Sequence, residues 1–86
     1  MDRLIFADGS IVNTDFCVEL SGNLHVTLYN LTFLQAAMIL ADPAKTQEIQ
    51  VEGSNNYRKT YTGYTELTVL MAQGNHIKAI LQEVAR

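Results

Sequence analysis

Along much of this chain apolar residues recur at every second position, and short turn sequences interrupt the alternation. A period of two places successive side chains on opposite faces of a strand. The first interruption is Asp8-Gly9, between "LIFA" and "SIVN". Asp-Gly between apolar runs predicts a hairpin with a type I′ turn, because that turn needs positive φ at both central residues.

The second interruption is Ser21-Gly22-Asn23. A two-residue loop at Gly22-Asn23 would pair Leu20 with His25 and leave apolar residues on both faces. A three-residue loop over Ser21 to Asn23 pairs Leu20 with Leu24, Val18 with Val26 and Phe16 with Leu28. Those six then share one face, and Cys17, Glu19, His25 and Thr27 share the other. A slip of one residue exchanges the faces, so the pattern selects the three-residue loop, with Asn23 left-handed.

Gln73-Gly74-Asn75 repeats the signal. The same loop pairs Met71 with Ile77, Val69 with Ala79 and Leu67 with Leu81. The opposite face carries Leu70, Ala72 and Ile80, so either both faces are covered or one meets a partner. A terminal helix competes here, because Ile77, Ile80, Leu81 and Val84 fit helical spacing behind an Asn75 cap. The strand is preferred, since Gly-Asn directly follows a strand-like run.

Only "TFLQAAMILAD" changes the period. Thr32 and Gln35 have the spacing of a capping box. Phe33, Ala36, Ala37 and Leu40 form one apolar stripe, widened by Leu34, Met38, Ile39 and Ala41. A helix apolar nearly all round is expected to pack deeply against the sheet. Asp42-Pro43 ends it and opens one further turn, "PAKT". "QEIQVE" then reads as a strand, "GSNN" as a turn and Tyr57 onward as the next strand. The expected fold is a single small α+β domain over residues 1–86: antiparallel β-hairpins with one central α-helix packed on the sheet.

Hydrophobic residues make up 48% of the chain and charged ones 17%, which argues for a folded chain with too little polar surface to cover itself. Some apolar area is therefore expected to meet a protein partner or a second copy. A net charge of −3 counts against nucleic acid and against membrane surfaces. One cysteine excludes an intrachain disulfide, and no apolar run reaches the roughly 18 residues of a membrane span. The opening "MDRLIFADGS" lacks a signal-peptide pattern, so the Asn30-Leu31-Thr32 sequon carries no weight and a cytoplasmic location is expected.

Catalytic chemistry has one candidate group. In the preferred register Glu19 faces His25, with Cys17 alongside; the simpler reading is a solvated face with a cross-strand charge pair. No spacing suits a metal, a phosphate loop or a cofactor. The expectation is no catalytic residue, no metal, no cofactor and no enzyme.

The candidate interaction surface is "YRKTYTGYTEL". Tyr57, Lys59 and Tyr61 share one strand face, Arg58 lies on the other, and Gly63 suggests a bend before Tyr64. Three readings stand: tyrosines that build the sheet, a protein-contact surface, and a stacking platform for a small ligand or single-stranded nucleic acid. Acidic net charge disfavours the last. Leu70 and Ile80 of the final hairpin join the candidate surface.

The succession "LTFLQAAMILADPAKTQEI", "YTGYTELTVL" and, after a glycine turn, "IKAIL" resembles small uncharacterised proteins encoded by phages and prophages of Gram-positive bacteria. The resemblance covers residues 31–81 and departs in the last strand, where "IKAILQEVA" alternates less clearly. It implies a virion accessory or assembly component, virion-associated in that case, and assigns no functional residue. The expected function is a non-enzymatic protein-interaction or structural module, with homo-oligomers as one form of it.

Overall fold

The computed structural model describes residues 2–84, with side chains for all of them except residues 15 and 16. Three strands, β1 (Asp2–Phe6), β2 (Ile11–Leu20) and β3 (Asn23–Tyr29), open the fold as a meander. Two short helices follow, α1 (Phe33–Leu40) and α2 (Pro43–Thr46). Then come β4 (Glu48–Glu52), β5 (Arg58–Thr62), β6 (Glu66–Gln73) and β7 (His76–Gln82). All pairings among the described strands are antiparallel, in the order β5-β4-β1-β2-β3-β7-β6. The fold is mostly sheet with a small helical part, and the expected single helix is two. Residues 76–82 form a strand, and its pairing with β3 as well as β6 excludes a helix there.

The turns invert the expected loop lengths. At the first hairpin Gly9 alone is left-handed, its N–H donates to the Phe6 carbonyl and the Phe6 N–H donates to the Ser10 carbonyl. That is a three-residue loop with a glycine bulge, closed by Asp8 accepting from the Ser10 N–H. At the second hairpin Leu20 pairs with Asn23, leaving only Ser21 and Gly22 in the loop, both with positive φ. This is the type I′ signature, and it displaces the predicted left-handed Asn23. At the third, Gln73 pairs with His76 and only Gly74 of the loop has positive φ, as a type II′ turn requires.

Why the hydrophobic pattern misjudged those registers is visible in β2 and β6. In β2 the pairing slips between Thr14, opposite Leu28, and Phe16, opposite Thr27. The extra residue, Asp15, exchanges the faces of everything after it. Ahead of the bulge Val12 and Thr14 point inward; beyond it Cys17 and Glu19 pair with the buried Val26 and Leu24. Val18 is opposite His25 and therefore faces outward, contrary to the sequence expectation; the expected placement of the Phe16 side chain lies outside the described residues. A second bulge, between Leu67 and Val69, keeps Leu67 opposite Leu81 as expected but pairs Val69 with Ile80 and Leu70 with Ala79.

The sheet is coiled upon itself. β5 and β6 are its two edges, yet only residues 63–65 join them. Seven flat strands would set these edges nearly 30 Å apart at about 4.8 Å per step. The connecting chain spans at most about 14 Å, so the edges must approach one another. Backbone bonds mark the meeting point: the Gly63 N–H donates to the Gln47 carbonyl and the Val84 N–H to the Gly63 carbonyl. No ladder joins β5 to β6, so the sheet is barrel-like but open. Its concave side holds one core, including Leu4, Phe6, Leu24, Val26, Leu28, Ile49, Val51, Ile77 and Leu81.

The capping box forms as the sequence predicts, with the Gln35 N–H donating to Thr32 Oγ1 and the Thr32 N–H to Gln35 Oε1. Asp42 caps α2 by accepting from the Ala44 N–H. The Ala7 N–H donates to the Lys45 carbonyl, which ties α2 to the first turn. The predicted deep packing of α1 does not occur. Eight residues make little more than two turns, and the core takes up only one side, through Ala36 and Leu40 with Ile39 half-buried.

Candidate functional site

The tyrosine segment divides between core and surface. β5 is an edge strand whose odd positions face inward, so Tyr61 packs beneath the sheet at 9% exposure. Gly63, with φ +84, turns the chain and delivers Tyr64 to the same core at 6% exposure. The two rings meet edge-on, 5.8 Å between centroids, a favourable arrangement of aromatic quadrupoles. Burial raises the pKa of both phenols, and the neighbouring Glu19 adds to it.

Tyr57, by contrast, is 54% exposed. Arg58 points outward to Glu52, 2.9 Å away, and Glu52 also accepts from Arg3. These three residues bridge β5, β4 and β1 on the convex side. The Arg3 hydrogen bond, with both guanidinium charges, lowers the Glu52 pKa. Lys59 Nζ lies 5.2 Å from the Tyr61 ring centroid, within cation–π range. The candidate surface is thus not one surface. Tyr57, Arg58 and Lys59 are accessible, Tyr61 and Tyr64 are internal, Leu70 packs against the core and Ile80 faces outward.

The Cys17, Glu19 and His25 group is taken apart by the bulge in β2. Cys17 and Glu19 lie on the inner face, whereas His25 pairs with Val18 and Ile80 on the outer one. Burial pushes the Cys17 thiol up to about 12, with the Asp2 charge contributing. A thiol so far above neutrality holds negligible thiolate and is a poor nucleophile. Among the described residues no three His, Cys, Asp or Glu side chains are grouped as metal ligands. An open cleft of about 820 Å³ at the β5–β6 junction is lined by Glu48, Thr62, Gly63, Thr65 and Glu83. It holds two carboxylates and no basic side chain.

The apolar residues that reach the surface lie elsewhere. On α1, Phe33, Leu34 and Met38 are 50%, 68% and 66% exposed. On the convex side of the sheet, Val18, Ile80 and Val69 fall in one cross-strand row through His25. A shallow groove of about 210 Å³ runs beside that row between His25, Thr27, Val69, Met71, Lys78 and Ile80. The α1 surface had a signal in the sequence, since a two-turn helix apolar all round cannot turn every side to one sheet. The sheet row had none, because the bulges that create it leave no local mark.

Among the described residues no helix is long and apolar enough to cross a membrane. No protein-family model, curated protein or solved structure matches the chain.

Proposed function

We propose that this chain is a non-enzymatic protein-interaction module that docks through the outward side of α1. The observation that carries the reading is the exposure of Phe33, Leu34 and Met38. Leu34 and Met38 stand one turn apart on the same helix side and present a continuous apolar strip, with Phe33 at its edge. Single exposed apolar residues are ordinary, but a contiguous group on one short helix marks an interface. The inert Cys17 thiol and its separation from His25 support a non-catalytic role. The resemblance to phage-encoded proteins points the same way, toward an accessory or assembly component.

A small-ligand or single-stranded nucleic-acid binder is the weaker alternative. Stacking platforms need several accessible rings beside a basic groove, and here Tyr57 is the exposed ring of the segment.

A photo-crosslinking residue at position 34, compared with one at Thr60 on the polar convex side, tests the reading in the native host. A discrete protein adduct from position 34 and none from position 60 is expected. Absence of adducts from position 34, or equal adducts from both, overturns it.

A further inference from the structure

The convex face of β2, β3, β7 and β6 is organised in rows of directly paired residues. The central row is Val18, His25, Ile80 and Val69. On one side of it Gln82 pairs with Glu66, and on the other Lys78 pairs with Met71. Among the described side chains of these four strands, Glu66 is the carboxylate and Lys78 the ammonium on this face, which also carries His25 and His76. They stand on opposite sides of the central row: Lys78 is two residues from Ile80, and Glu66 is three from Val69 across the bulge, level with Gln82. Neither enters an ion pair among the described residues.

This arrangement is complementary to itself. A two-fold axis laid along the central row places each apolar side chain of one copy against the same row of the other. It also reverses the strand direction, which carries Lys78 of one copy to the side of the row where Glu66 of the other stands. The two are then about one strand spacing apart, roughly 5 Å laterally, and symmetry repeats the pair. Glu66 meets no Glu66 and Lys78 meets no Lys78, while His25, on the row itself, meets its own copy. An axis along the strands would bring neither charge to its opposite.

We propose that this face is a homodimer interface, the partner being a second copy of the chain, held by the Val18–His25–Ile80–Val69 row and two reciprocal Glu66–Lys78 pairs. The coiled sheet bends away at its margins, so the contact is small and the association weak. The proposal extends the interaction-module reading but uses a different face from α1, so the two fail separately.

Sedimentation equilibrium from micromolar to millimolar concentration tests it, using the whole chain and the variants Glu66→Lys and Lys78→Glu. The parent chain should dimerise, less so at high salt. Each variant alone brings like charges together twice and should associate roughly tenfold more weakly. Mixed in equal amounts, the two variants should recover the parent's association, because every reciprocal pair is again opposite in sign. Circular dichroism checks that both variants fold. A parent that stays monomeric at millimolar concentration, a dimer indifferent to both reversals, or a mixture no better than its components would each overturn the proposal.

Discussion

Glu52 shows how a single side chain can organise a surface. It lies on the polar part of the convex side and receives hydrogen bonds from Arg3 and Arg58, one from each neighbouring strand. The ionised carboxylate is the form those guanidiniums favour, which lowers its pKa in the folded chain. A depressed folded pKa contributes stability above the ordinary glutamate range and loses it as the pH falls through the lowered value. Glu52→Gln should therefore unfold at a lower temperature than the parent at pH 7. The gap should narrow as the pH is taken from about 5 to about 3, where the parent loses the same interaction. Thermal unfolding at several pH values checks this, and a gap that widens in acid would contradict the assignment. Cys17 is the opposite case, a potentially reactive group that its surroundings silence. Both behaviours depend on strand partners far away in sequence, so neither was legible from the residues alone.

At the scale of elements, the two sides of α1 should respond differently to substitution. Leu40 is fully buried and Leu34 is 68% exposed. Leu40→Ala leaves a cavity in the core and should cost about 2–5 kcal/mol. Leu34→Asp removes no core contact and should change stability by about 0.5 kcal/mol or less. Urea denaturation of both variants measures the contrast directly. Comparable losses at the two positions would mean that the outward side of the helix is packed after all. The capping box of α1, the Asp42 cap and Pro43 were readable in advance because each motif is completed within three or four residues. The burial of the helix was not, since apolarity on every side states what the helix could bury and not how much sheet is available.

The whole molecule depends on a junction between its two sheet edges. Tyr64 sits at that point, packed against Tyr61, while Gly63 bonds to Gln47 on one side and Val84 on the other. Removing the ring should loosen the junction before the rest of the fold. Tyr64→Ala should cost about 3–5 kcal/mol, and amide exchange should accelerate most at Gly63 and Val84. Uniform acceleration across all strands would show instead that the junction opens only with global unfolding. The same geometry accounts for the tyrosine-rich segment. Period-two spacing suggested a common face for Tyr57 and Tyr61, but Tyr61 points into the core and Tyr57 stays outside, while a left-handed Gly63 brings Tyr64 in beside Tyr61.

The sequence by itself determined where the chain turns, how the helices are capped and where the strands lie, except for the last, where a helix competed until pairing with β3 and β6 decided it. These are set by residues within a few positions of one another, through φ preferences and local hydrogen bonds. Tertiary structure decided the registers, the faces and the closure of the sheet. A bulge at residue 15 exchanges the faces of the later part of β2, Cys17 to Leu20, and it exists only as a pairing with β3. Closure follows from a three-residue link between strands at opposite edges, a constraint that exists only once the strand order is known. The surfaces on which the proposed functions rest belong to that second group: they are whatever the bulges and the coil turned outward.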